Sequence, residues 1–291
     1  QCFKDHRSCF YNIPLMKWFY FILSHSIFVS ICAVAMAFQT AHLLELQVNG
    51  FMYGFIFFAT LCSYNFYWIL SKFSFAGVAQ IPGLLKKETT GLVILLTAAA
   101  GTAYCLYRSS LPAGFILTAI LLTVLYSIPL LPVKFLQFTR RAGVLKTVLL
   151  AFTWCYVTAF LPIQKTYWQL DNPEIFIITR RFLFMLMLCI IFDNRDKTVD
   201  KIRGLRSLAT DLSPGVLKAL VYIIFATLFL SNFLFRDYGI SLNQSLALQV
   251  STVALLFVYF YAAKKRSYLF YYFFVDGMML FSALATYVAG I

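Results

Sequence analysis

The sequence predicts an all-α, polytopic membrane protein, and three observations favour that class. Of 291 residues, 62% are hydrophobic and 12% are charged. Soluble domains are roughly half apolar and about a quarter charged. Mean hydropathy is +0.81, and apolar runs of about 20 residues, long enough to span a bilayer, recur along the chain. A water-soluble protein of this size cannot bury so much apolar surface, so lipid must be its main solvent.

Nine apolar segments are long enough to be membrane spans. They lie at about 15–39, 51–71, 91–108, 112–133, 144–163, 174–193, 214–234, 244–262 and 268–289. Turn and helix-cap residues separate them, for example Asn49-Gly50, Pro82-Gly83 and Ser213-Pro214-Gly215. No soluble domain fits between the spans. We therefore predict a single transmembrane domain over residues 1–291.

The basic residues alternate between the two sides of this nine-span topology. Of the 24 Lys and Arg residues, 19 lie before span 1, at its start, or around the loops after spans 2, 4, 6 and 8. The positive-inside rule makes that side cytoplasmic, which predicts a cytoplasmic amino terminus and an outside carboxyl terminus. In a bacterium the chain would lie in the inner (plasma) membrane. The net charge of +13 thus reflects topology, and we expect membrane lipid rather than nucleic acid as a partner.

A cluster of carboxylates follows span 6, in the stretch CIIFDNRDKTVDKIRGLRSLA at 189–209. Asp193, Asp196 and Asp200 stand at positions i, i+3 and i+7, within about 60° of one another on a helix. Carboxylates crowded on one face repel unless a cation lies among them. Mg²⁺ prefers such oxygen ligands and shares its coordination sphere with substrate phosphates. Spacing alone is equally compatible with a solvated loop held by intrahelical Asp–Lys pairs.

The same stretch contains all fixed positions of a family motif: Asp193, Arg195, Asp196, Asp200, Gly204, Ser207 and Leu208. In this order they resemble the second aspartate-rich motif, D-x-R-D-x-x-x-D-x-x-x-G-x-x-(T/S)-L, of the UbiA superfamily of intramembrane prenyltransferases. A second stretch also resembles that family, in its fourth-loop and fifth-helix region: Tyr126-Ser127-Ile128-Pro129 at the end of span 4, then Lys134, Arg140-Arg141, Lys146 and Trp154. The resemblance implies a nine-helix bundle with a central cavity that opens to the cytoplasm.

The resemblance also implies a reaction. Family members hold an isoprenoid diphosphate through Mg²⁺ bound to two aspartate motifs, and a lipophilic acceptor captures the prenyl group after the diphosphate leaves. Here Asp193, Asp196 and Asp200 would be the catalytic, metal-binding residues. The diphosphate would be bound by Arg195, Lys134, Arg140, Arg141, Lys146 and Lys72. The cavity would be lined by Asn65, Tyr67 and Tyr126.

The first aspartate motif of the family, which should end span 2, does not occur in this sequence. The best alignment keeps Asn65 but places Phe66, Ile69 and Phe73 where carboxylates belong. We therefore expect one Mg²⁺ site rather than two, with basic side chains replacing the second ion. A terpene cyclase that acts on the prenyl diphosphate alone, and a non-catalytic isoprenoid- or lipid-binding homologue, are the alternatives.

Three further charges lie inside predicted spans, at Arg180, Arg181 and Asp276. Charged side chains at membrane depth normally face the bundle interior and are paired. Spans 6 and 9 run in opposite directions, so the arginines and the aspartate can approach the same depth. We predict a structural ion pair between Asp276 and Arg180 or Arg181, and a direct role of Asp276 in contacting the substrate is the alternative.

Overall fold

The computed structural model describes residues 14–74, 88–109, 111–127, 143–203 and 206–291. Regular structure in these ranges is helical, and none of it is strand. The helices are α1 (Pro14–Ser24), α2 (Ile27–Leu43), α3 (Gly50–Ser74), α4 (Thr89–Ser109), α5 (Ala113–Ser127), α6 (Gly143–Cys155), α7 (Asn172–Arg203), α8 (Leu208–Asp211), α9 (Pro214–Ser231), α10 (Leu242–Tyr261) and α11 (Asp276–Val288). A π-helical segment, Tyr156–Phe160, extends α6 to Leu161–Ile163, and another, Phe270–Val275, leads into α11.

Seven helical segments in the described ranges are long and apolar enough to cross a membrane. They are Gly50–Lys72, Thr89–Ser109, Gly143–Ile163, Asn172–Ile202, Pro214–Leu234, Leu242–Tyr261 and Phe270–Val288. Helices α1 and α2 reach that length only as a bent pair, and α5 is apolar but shorter. The prediction of an all-α, polytopic membrane protein is therefore confirmed for the part of the chain that the structure describes.

The first predicted span is broken rather than continuous. Helices α1 and α2 meet at a bend of 67°, where Ser26 adopts a left-handed backbone conformation with φ of 63°. The His25 ring nitrogen Nδ1 lies 3.0 Å from the Phe21 carbonyl, and the Asn65 side-chain amide donates to the His25 carbonyl at 3.0 Å. Polar side chains at the break thus bond backbone groups that lipid cannot satisfy.

Helix α7 lies at the centre of the bundle. Its apolar window is 61% buried, against 17% for α4, and it contacts α6, α8, α9 and α10. The helix continues to Arg203, ten residues beyond the predicted end of span 6 at Asp193. All three motif aspartates therefore lie on the last three turns of a continuous helix. We call this end of the bundle the motif end and the opposite end the far end.

Candidate functional site

Asp193 lies where three helices meet at the motif end. Its Oδ2 atom accepts a hydrogen bond from the Thr147 hydroxyl at 2.5 Å and another from the backbone N–H of Leu208 at 3.1 Å. The second bond satisfies the first amide of α8, which has no partner within its own helix. Asp193 thus ties the end of α7 to both α6 and α8.

The contact between α6 and the segment before α8 depends on a glycine. A Cβ atom at Gly143 would lie 2.5 Å from the Ser207 backbone nitrogen and 2.7 Å from the Arg206 carbonyl carbon. No side chain fits at that separation, so the absence of one on Gly143 lets the two backbones touch. Thr147, one turn further along α6, then reaches both Asp193 and the Leu208 amide.

Arg195 is held by aromatic rings and by its neighbour in sequence. Its guanidinium lies 4.8 Å from the ring centroid of Phe192 and 5.1 Å from those of Tyr271 and Tyr272. It also forms two hydrogen bonds to Asp196, from Nε to Oδ1 at 2.8 Å and from a terminal nitrogen to Oδ2 at 2.7 Å. Arg195, predicted to bind phosphate, is therefore positioned to orient the Asp196 carboxylate.

Lys146 brings the predicted site residues together. It interacts electrostatically with Tyr67 on α3 and with Asp193, Asp196 and Asp200 on α7. Asp200 is 9% exposed. Four of the predicted residues thus act electrostatically on one ammonium group, although none of the carboxylates lies within ion-pair distance of it among the described contacts.

The carboxylates suit a divalent cation, although the described residues contain no group of three His, Cys, Asp or Glu side chains gathered closely enough to hold one. Mg²⁺ commonly uses only one or two protein carboxylates and takes its remaining ligands from water and phosphate. A carboxylate offers about four lone-pair sites, so the bonds to Arg195 and Thr147 leave acceptor capacity on Asp196 and Asp193. Hydrogen bonds of this kind orient metal ligands in proteins. The described carboxylates could therefore supply one or two ligands to a hard cation, but not three.

Two of the predicted residues make contacts away from this cluster. Lys72 pairs with Glu88 and lies 3.2 Å from the ring centroid of Trp68. Asn65 is 5% exposed, and its amide bonds the His25 and Leu61 carbonyls. The sequence predicted Asn65 to line the cavity, whereas in the structure its amide forms a hydrogen bond at the break between α1 and α2. Lys134, Arg140, Arg141 and the side chain of Tyr126 lie outside the described residues.

The structure does not contain the predicted ion pair between Asp276 and Arg180 or Arg181. Arg181 donates instead to the Met36 carbonyl and the Thr40 hydroxyl, at 2.8 and 2.9 Å. The cation that acts on Asp276 is Arg195. Because α7 extends to residue 203, Arg195 lies eight residues from the end of its helix, and Asp276 lies eight residues from the helical start at 268. Both are therefore roughly 12 Å from the motif end.

Sequence reasoning missed Thr147, although the chain carries a signal for it. Gly143, Thr147, Ala151 and Cys155 recur every fourth residue of α6, and all four are buried. Small residues at this spacing mark a helix face on which another backbone approaches closely. That face packs on α7 and α8, so it indicates where the motif carboxylates find their hydrogen-bond donors.

Comparisons with protein-family models, with curated proteins and with solved structures find no match to this chain. The residues and their geometry are therefore the basis for any assignment of function.

Proposed function

We propose that this chain is a UbiA-type intramembrane prenyltransferase that binds an isoprenoid diphosphate at the motif end. The observation that carries the proposal is the set of three aspartates on the last turns of the most buried described membrane helix, where Thr147 and Leu208 bond Asp193, Arg195 bonds Asp196, and Lys146 acts electrostatically on all three. An ammonium group among carboxylates can receive a phosphate oxygen, while the carboxylates receive a divalent cation. The prenyl chain, which is apolar, would extend into the bundle.

The topology in this proposal is the family's nine-helix arrangement. The described residues contain seven long helical segments, or eight spans if the bent pair α1 and α2 forms one, and the proposal counts the shorter apolar helix α5 as the ninth. The positive-inside rule assigns the motif end to the cytoplasm, with the amino terminus on the same side and the carboxyl terminus outside. A cavity at the motif end would then open toward water-soluble Mg²⁺ and toward the diphosphate.

The residues at the motif end have distinct roles in this proposal. Asp196 and Asp200, one helical turn apart, would be the direct ligands of a single Mg²⁺ that takes its other ligands from water and phosphate. Asp193 would add negative charge beside the ion, and Arg195 would keep Asp196 oriented. The ion, when bound, neutralises diphosphate charge and favours its departure. Lys146 would contact a phosphate oxygen directly. Lys134, Arg140 and Arg141 remain proposed diphosphate ligands from the loop between α5 and α6.

The reaction would be transfer of the prenyl group to a lipophilic acceptor. The bond between prenyl C1 and the diphosphate oxygen breaks, and its electron pair leaves with the diphosphate. Electrons of the acceptor then form the new bond to C1, and the acceptor loses a proton. Between these two steps, C1 of the prenyl group carries positive charge. The rings of Tyr64 on α3 and Trp154 on α6, whose centroids are 6.1 Å apart, can stabilise that charge by cation–π attraction.

A second candidate, binding without chemistry, is favoured by one specific feature. At the positions of the missing aspartate motif, α3 carries Phe66, which is 47% exposed, and Ile69, which is buried. Neither can ligate a metal. A protein with one cation site can bind an isoprenoid diphosphate or another anionic lipid without ionising it, or can ionise it and cyclise the chain.

The test is release of inorganic diphosphate by the purified protein from geranyl, farnesyl and geranylgeranyl diphosphates, with Mg²⁺ or with EDTA. We expect Mg²⁺-dependent release that Asp200→Asn and Asp196→Ala abolish. Asp211→Asn is the matched control, because Asp211 lies at the same end on α8 and pairs with Arg206 at 3.8 Å, outside the cluster. It should retain release.

The hydrocarbon product separates the candidates. A prenylated acceptor indicates transfer, and a cyclic hydrocarbon indicates a cyclase. Protection of the protein against thermal unfolding by the lipid diphosphate, without release, indicates binding alone. Neither release nor protection, with any of the three substrates, would contradict every form of the proposal.

A further inference from the structure

A second polar centre lies in the far half of the bundle, around Arg181. This side chain is 5% exposed. One terminal nitrogen donates to the Met36 carbonyl and the Thr40 hydroxyl, and the other contacts the Met36 sulfur at 2.6 Å. These contacts use three of the five N–H groups of a guanidinium. Donors therefore remain for a further partner.

Among the described residues, no carboxylate forms an ion pair with Arg181. A buried cation without a counter-charge is costly, because desolvation is not offset by Coulomb attraction. Neutral acceptors such as the Met36 carbonyl supply only partial negative charge. The guanidinium of Arg180, which donates to the Leu228 carbonyl at 2.6 Å and to the Ser231 hydroxyl among its partners, lines the same pocket.

The two arginines line one pocket with polar side chains from neighbouring helices. Its volume is about 40 Å³, and Gln39, Thr252 and Ser282 also contribute to its wall. A space of roughly 10–15 Å³ by this measure holds one water. The pocket therefore has room for a small anion and a water molecule.

A larger cleft lies one to two turns further toward the far end of the same helices. Its volume is about 440 Å³, and it is lined by His42 of α2, Gln244 of α10 and Gly290 after α11, among others. These three residues follow the pocket residues Gln39, Thr252 and Ser282 in the direction of the far end. The cleft, whose lining also includes Glu45, thus lies between the Arg181 pocket and the far end of the bundle.

We propose that the Arg181 pocket binds a small inorganic anion, for which chloride is the probe. The anion supplies the counter-charge that Arg181 lacks in the described structure and accepts the remaining guanidinium N–H groups. This site is separate from the motif end and does not rest on the proposed prenyl transfer. Its occupant would hold α2, α7, α10 and α11 together in the far half.

Thermal unfolding in detergent tests the proposal. Sodium chloride replaces sodium gluconate at constant ionic strength, which keeps general charge screening unchanged. A ligand that binds only the folded state raises Tm in a saturable way. We expect such a rise for the wild type and for Arg108→Gln, the matched control. Arg108 is a far-end arginine on α4 that lies 5.0 Å from the Phe51 ring centroid.

Two variants should lose the chloride response. Arg181→Gln removes the charge, and Leu248→Phe fills part of the pocket from α10 while leaving both arginines in place. If Arg181→Gln does not fold, the chloride response of Leu248→Phe alone tests the proposal, and we expect that response to be lost. A wild-type Tm that is the same in both salts would overturn the proposal. So would an equal rise in the wild type and in every folded variant at the pocket.

Discussion

Thr147→Val tests whether the motif end is held together as the hydrogen bonds indicate. The two side chains have nearly the same shape, so the change removes a hydroxyl with little loss of packing. The hydroxyl is 2.5 Å from the Asp193 carboxylate and also accepts from the Leu208 amide, and Thr147 is 2% exposed. A hydrogen bond to a charged group contributes roughly 1.5–3 kcal/mol. We expect the free energy of unfolding to fall by about 2 kcal/mol on that basis.

Unfolding by SDS in mixed micelles measures this difference. Thr153→Val on the same helix is the control, because the Thr153 hydroxyl donates only to the Leu149 carbonyl four residues earlier. Such local bonds add little or slightly destabilise a helix, so this variant should stay within about 0.5 kcal/mol of wild type. In a double-mutant cycle with Asp193→Asn, we expect Thr147→Val to couple strongly to Asp193. Equal effects of the two threonine variants, or no coupling, would refute the reasoning.

Two further substitutions test other parts of the fold. Gly143→Ala places a methyl group against the backbone at Ser207 and should lower the free energy of unfolding by roughly 1–3 kcal/mol. Gly215→Ala on α9 meets open space and should leave stability unchanged or slightly raised. If unfolding in SDS shows Gly143→Ala to be no less stable than Gly215→Ala, the close contact at Gly143 is contradicted. Asn65→Leu leaves the His25 carbonyl without its side-chain donor and should lower the free energy of unfolding by about 1–3 kcal/mol. Wild-type stability of this variant would mean that the hydrogen bond from Asn65 does not stabilise the break between α1 and α2.

Composition and hydropathy predicted the class of the fold because lipid burial is a property of whole segments. Twenty apolar residues predict a span whichever neighbours it packs against. The break near His25 was not predictable in this way, because hydropathy averages the short polar stretch Ser24-His25-Ser26 into a segment that is otherwise apolar. What bends the chain is a set of bonds to the Phe21 and His25 carbonyls, one of which comes from Asn65, 40 residues away.

The motif predicted which residues gather at the site better than it predicted what each one does. Spacing on one helix places Asp193, Asp196 and Asp200 on a common face. It does not say that Arg195 packs against the rings of Tyr271 and Tyr272, because those rings belong to a segment more than 70 residues later in the chain. Charge-assisted pairs form wherever tertiary packing brings partners together, so pairwise contacts require the fold.

The ion pair between Asp276 and Arg180 or Arg181 was wrongly predicted because hydropathy misplaced the end of span 6. Hydropathy ends a span where charges begin, and it therefore ended span 6 at Asp193, although α7 continues for ten more residues. The additional turns carry Asp196, Asp200 and Lys201 away from the apolar segment on a rigid helix rather than on a loop. Because a helix fixes the spacing of its side chains, carboxylates on it keep their relative positions without a bound cation. A site built in this way can receive its ligand without first paying the entropy of ordering a loop, which is why we place ion and diphosphate binding on α7.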